Sequence, residues 1–169
     1  VMIDIEQEYV DRGMAAIRDS LERLVSKDRM TRVDADGALA RITTSTENSA
    51  AVSADLVVEA IPEIRELKFS TFADLDRICK PETILASNTS SMSIDEIGAA
   101  TNRPTQVIGM HFMNPVPLMK LVEIINGSQT SVDVNSEVVA AAERMGKTAL
   151  SCNDSPGFVS NRILCPMLN

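Results

Sequence analysis

Residues 54–91 read ADLVVEAIPEIRELKFSTFADLDRICKPETILASNTSS. Ala54-Asp55 introduces the short apolar run Leu56 to Ala60, the pattern of a central strand in a parallel sheet. Ile64, Leu67, Thr71, Leu75 and Ile78 then recur at helical spacing, and Thr83 to Ser87 is apolar and strand-like again. Strand, helix, strand in this order is a βαβ unit, and the flanks repeat the alternation.

Upstream, Val1 to Ile5 reads as a buried strand ending in the carboxylate Asp4, followed by a helix with Val10, Met14, Ile17, Leu21 and Leu24 in one apolar stripe. Thr31-x-x-Asp34 is a capping box for a second helix running through Ala40. Downstream, Ser93-x-x-Glu96 caps a short helix, and Gln106 to Phe112 and Met119 to Ile125 are strand-like. Thr130-x-x-Asp133 opens another helix, Lys147 to Cys152 makes a last strand, and Asn153 to Gly157 is punctuation before a helical pattern from Phe158. The reading is an α/β chain with a doubly wound, mostly parallel sheet, in which ligands sit beyond the carboxyl ends of the strands.

The 169 residues carry Lys+Arg 16 against Asp+Glu 24, a net charge of −8, which argues against a nucleic-acid binder that neutralises phosphates. No apolar run reaches the ~20 residues of a membrane span. Cys79, Cys152 and Cys165 form no CxxC pair and there is one histidine, so neither a metal cluster nor a disulfide framework is expected; a reducing, intracellular setting follows.

Polar residues that end strands are the candidates for chemistry: Asp4, Glu59 to Glu63, Ser87 to Ser91, and His111. If the two strands around Asn114-Pro115-Val116-Pro117 fold back antiparallel about Pro117, residues whose numbers sum to 234 face each other, as His111 and Glu123 do. A carboxylate opposite an imidazole fixes its tautomer, raises its basicity and stabilises the imidazolium, which suits proton transfer coupled to hydride removal. Asn88-Thr89-Ser90-Ser91 reads either as a helix-entry loop or as a set of donors facing the site. Asp4 fits an acceptor for an adenosine-ribose diol.

The stretches ILASNTSS, VIGMHFMNPVPLMKLVEI and NDSPGFVSNRILCPMLN resemble the L-3-hydroxyacyl-CoA dehydrogenase family, particularly its short monofunctional and 3-hydroxybutyryl-CoA members. The resemblance implies a Rossmann-like domain and NAD-dependent oxidation of a 3-hydroxyacyl-CoA to the 3-oxoacyl-CoA in fatty-acid or butanoate metabolism. It implies His111 as catalytic base with Glu123 as its partner, and Ser90 and Asn161 completing the catalytic site. Cofactor contacts fall to Asp4, Glu63, Lys68, Ser90 and Asn114, and coenzyme A contacts to Ser20, Lys27 and Ser90. Ser20 and Lys27, seven apart, would lie two turns apart on one face of the first helix; Lys27 also reads as a cation offsetting the helix dipole.

The family's pattern also implies a first βα unit with a GxGxxG loop, and no two of the seven glycines here are spaced GxG. The expectation is therefore a fragment of a protein of roughly 280–300 residues, with residues 1–153 a partial NAD-binding domain and 154–169 a linker and the start of an all-α domain for dimerisation and substrate. Such a fragment is expected to bind NAD weakly and to be inactive alone. The full-length protein is expected to be a homodimer without nucleic-acid or membrane partners. It would be cytoplasmic if bacterial, mitochondrial or peroxisomal if eukaryotic. Two alternatives stay open: an L-gulonate-type sugar-acid dehydrogenase of the same superfamily, and a catalytically dead isoform acting as a binding partner.

Overall fold

The computed structural model describes residues 1–168. The chain divides into two compact units, Val1–Val52 and Ser53 onward. In the first unit β1 (Met2–Ile3) pairs in parallel with β2 (Thr44–Ser45), and α1 (Gln7–Val25) and α2 (Arg32–Ala40) lie between them in sequence. The expected capping box forms: Thr31 Oγ1 accepts from the Asp34 N–H at 3.1 Å. β1 is only two residues long and half-buried, not the buried strand from Val1 to Ile5 that its composition suggests; its one neighbour is β2, and Val1 and Ile5 stay exposed.

The second unit is built on a five-stranded sheet in the order β3 (Leu56–Glu59), β4 (Ile84–Ser87), β5 (Val107–Phe112), β6 (Leu121–Asn126), β7 (Thr148–Asn153). β3, β4 and β5 run parallel, β6 is antiparallel to β5, and β7 is parallel to β6. β3 is thus an edge strand of its sheet, pairing only with β4, rather than the central strand its apolar run suggests, and Val58 is exposed. The helices are α3 (Arg65–Ile78), α4 (Ile94–Ala99), α5 (Val132–Arg144) and α6 (Ser160–Leu168). A core of Ile84, Ala86, Ile108, Met110, Val122 and Ile124 packs against Val134, Val138 and Ala142 of α5.

Two local readings shift. α5 is capped by Ser131, whose hydroxyl accepts from the Val134 N–H, while Thr130 instead donates to the Val107 carbonyl, a bond available only once β5 is alongside. In α3 the buried face is Lys68, Phe72, Leu75 and Asp76, whereas Ile64 and Leu67 of the expected apolar stripe are exposed. Placing Lys68 inward is the event that matters for the site.

Candidate active site

The loop between β5 and β6 reverses the chain so that His111 pairs with Glu123, the register expected for a turn about Pro117. Close approach of the two strands requires Gly109: a Cβ there would stand 2.8 Å from the Cβ of Ile125, its cross-strand partner. His111 Nδ1 lies 2.8 Å from Glu123 Oε2, and Glu123 is fully buried. Burial alone pushes the Glu123 carboxyl up, but hydrogen bonds from His111, from Ser160 and from the Val159 N–H outweigh it and hold it below the ordinary carboxylate value. A carboxylate on Nδ1 makes that nitrogen the N–H donor, so Nε2 carries the lone pair. The Ser90 hydroxyl is 3.1 Å from Nε2, and the Phe158 ring packs edge-on to the imidazole with centroids 5.8 Å apart.

Ser90 belongs to the loop after β4, and that loop is tied at several points. Asn88 Oδ1 accepts from the Phe112 N–H at 2.8 Å. Glu63 Oε1 accepts from the Ser90 N–H at 3.1 Å and from the hydroxyls of Thr89 and Ser91. Burial acts to raise the Glu63 carboxyl, yet the bonds from Thr89, Lys68 and Ser90 leave it lowered overall. Asn161 Nδ2 approaches the Ser90 carbonyl at 3.3 Å. Glu123 Oε1 accepts the backbone N–H groups of Val159 and Ser160 at 3.0 and 2.7 Å, so one carboxylate holds both the imidazole and the first turn of α6.

His111, Glu123, Ser90, Asn161 and Glu63 are therefore brought together in the second unit. Asn114 is exposed just past the end of β5, and Lys68 is 1% exposed with its ammonium on Glu59, Glu63 and the Ile61 carbonyl. Asp4, Ser20 and Lys27 lie in the first unit, where Asp4 Oδ1 caps the Ile5 N–H at 2.8 Å. Of Ser20 and Lys27, expected on one face of the first helix, only Ser20 lies within α1. α1 ends at Val25, the Ser26 N–H closes its last turn on Glu22, and Asp28 at φ 53° turns the chain away, leaving Lys27 beyond the helix.

Several participants escaped the sequence reading. Phe158 gave no local signal beyond its neighbourhood, and the N–H groups of Val159 and Ser160 could not have been found without the three-dimensional path. Asp154 accepts from the Ser93 hydroxyl at 2.6 Å and the Asp95 N–H at 3.1 Å, joining the chain after β7 to the start of α4. Among the described residues no group of three or more His, Cys, Asp or Glu side chains could hold a metal ion.

A family model described as 3-hydroxyacyl-CoA dehydrogenase, NAD binding domain, matches residues 1–155. The chain belongs to this family. It is 51% identical over 168 residues to a probable 3-hydroxybutyryl-CoA dehydrogenase of Bacillus subtilis and 53% identical over 169 residues to one of Deinococcus radiodurans. The matches cover 99% and 100% of this chain but 58% and 60% of those relatives, so the chain spans well under two thirds of their length. The crystal structure of (S)-3-hydroxybutyryl-CoA dehydrogenase from Ralstonia eutropha superposes with a TM-score of 0.97 at 45% identity, covering 99% of this chain and 59% of that one.

Proposed function

We propose that the full-length protein oxidises a short 3-hydroxyacyl-CoA, 3-hydroxybutyryl-CoA in the first instance, to the 3-oxoacyl-CoA with NAD, within fatty-acid or butanoate metabolism. The observation that carries the reading is an imidazole whose Nδ1 is held by a buried carboxylate while Nε2 faces the hydroxyl of exposed Ser90. The names of the relatives favour the acyl-CoA over the sugar-acid substrate.

The residues at this end of the sheet fit the nicotinamide-ribose part of NAD by their chemistry. Glu63, Ser90 and Asn114 are exposed hydrogen-bonding side chains following the carboxyl ends of β3, β4 and β5, where ligands of open α/β sheets bind. Lys68 would support them from beneath through Glu63. Bound there, NAD supplies the acceptor for the hydride leaving the substrate's C3. His111 Nε2 takes the proton of the 3-hydroxyl, which shares its hydrogen-bonding position with Ser90. Glu123 stabilises the imidazolium so formed, and Ser90 and Asn161 orient the substrate oxygens. General base catalysis of this kind contributes ~10²–10⁴-fold. Asp4 for the adenosine ribose, and Ser20 and Lys27 for coenzyme A, complete the assignment, as does a homodimeric enzyme.

The test is NADH formation by the full-length protein with 3-hydroxybutyryl-CoA and, in parallel, with a sugar acid such as L-gulonate. Turnover of the thioester is expected. Turnover of the sugar acid alone would overturn the substrate assignment.

A further inference from the structure

Glu59 is a buried carboxylate to which the mechanism gives no role. It ends β3 and is 4% exposed. Its Oε1 accepts from Lys68 Nζ and from the Ile61 N–H, each at 2.6 Å, and its Oε2 accepts from the Ser87 hydroxyl at 2.6 Å. The Ser87 oxygen accepts in turn from the Thr89 N–H at 3.2 Å. Lys68 Nζ also reaches the Ile61 carbonyl at 3.1 Å and Glu63 Oε2 at 3.2 Å. An ammonium has three N–H donors, and three acceptors surround this one, so none is left over.

We propose that Glu59 is a positioning residue: through the Lys68 ammonium and the Ser87 hydroxyl it fixes the Glu63 carboxylate and the Ser87–Ser91 loop that presents Ser90 to His111. The proposal deepens the dehydrogenase reading and rests on it for its kinetic consequence. A buried ion pair is weak evidence for stability, because well-packed apolar residues of similar volume often serve as well or better. What apolar residues cannot do is orient a neighbouring carboxylate. With Glu59 in place, Lys68 is neutralised from below and holds only Oε2 of Glu63. Oε1 is then free to take the Thr89 hydroxyl, the Ser90 N–H and the Ser91 hydroxyl. Without Glu59, Glu63 becomes the one remaining counter-ion of a buried cation and is drawn off the loop. The second arm, Glu59 to Ser87 to Thr89, pins the same loop at its root.

Two variants separate positioning from structural support. Glu59→Gln keeps the shape of the side chain and removes the charge. The double variant Glu59→Met with Lys68→Met replaces the pair by apolar side chains and is expected to keep Tm near or above that of the parent. In the full-length enzyme both are expected to lower kcat by about tenfold or more, since misplacement of ~1 Å can cost up to ~10²-fold. In the 169-residue chain itself, the amide resonances of Ser90 and Ser91 are expected to shift in both. The Glu63 carboxyl carbon of the double variant is expected to titrate at higher pH than in the parent, because Lys68 no longer lowers it. A folded Glu59→Gln variant with parental kcat would overturn the proposal, as would one with unmoved Ser90 and Ser91 amides. If the parent enzyme turns over no 3-hydroxyacyl-CoA, the dehydrogenase reading fails, and the amide and carboxyl signals still decide whether Glu59 holds the loop.

Discussion

Two carboxylate pairs of the second unit, His111–Glu123 and Arg103–Asp76, begin alike and finish differently. In the second, Arg103 Nε donates to Asp76 Oδ1 at 2.5 Å, and the guanidinium also reaches the carbonyls of Asp76, Cys79 and Lys80. Asp76 Oδ2 accepts both the backbone N–H and the side-chain amide of Asn102 at 2.9 Å. These hydrogen bonds join the end of α3 to the segment before β5. In the first pair, the carboxylate is equally committed, to Nδ1 and to two backbone N–H groups, but Nε2 meets only the rotatable hydroxyl of exposed Ser90. Burial and charge do not distinguish a site from a staple. A ring nitrogen whose partner is a rotatable, surface-exposed hydroxyl does.

The comparison can be broken most severely at His111. In the full-length enzyme His111→Gln is expected to lower kcat by ~10²–10⁴-fold while Tm hardly moves; near-parental turnover would remove the base from its role. Asp76→Ala should do the reverse. Leaving the Arg103 charge buried and unpaired is expected to cost about 3–5 kcal/mol in denaturant unfolding, with kcat of the folded enzyme unchanged. A large kcat loss at full folding would show that the staple also serves the site.

A smaller effect is expected from Ser90→Ala, which deletes one hydrogen bond to Nε2 and should reduce kcat/KM by about fivefold, the scale of roughly 1 kcal/mol. Tm should not fall, since Ser90 is exposed. The smallest effect is in the pH dependence of unfolding. Glu123 and Asp76 both titrate below their ordinary values when folded. For Asp76, burial acts to raise the carboxyl, and bonds from Asn102 and Arg103 outweigh it. A depressed carboxyl contributes stability that is complete above its unfolded pKa and is lost as pH falls through the folded one. Glu123→Gln should therefore flatten part of the acid slope below about pH 4.3, and an unchanged slope would show that the Glu123 bonds are not maintained in solution.

Much of the site was legible because it is local. His111 and Glu123 sit on two strands joined by a short Pro-containing turn, so alternation and turn position alone bring them face to face. Thr31 and Ser93 announced their helices through side chains that bond within the next turn. The failures share the opposite feature. Ile64 and Leu67 looked like the inward face of α3, yet the sheet chose Lys68, because Glu59 and the Ile61 carbonyl offer its ammonium partners that an apolar neighbour could not use. Ser20 and Lys27 were expected on one helix face from the family resemblance and their spacing, and α1 ends at Val25, short of Lys27.

The sequence by itself determined the βαβ order, the family, the hairpin register of His111 and Glu123 and the caps at Thr31 and Ser93, all of which rest on patterns along the chain. Only the tertiary structure decided which partners each polar group meets. That Glu123 also binds the N–H groups of Val159 and Ser160, 36 and 37 residues away, and that Glu59 saturates Lys68, depends on where separate elements meet. Hydrogen-bonding capacity is consumed by neighbours in space, and no pattern along the chain records which neighbours those are.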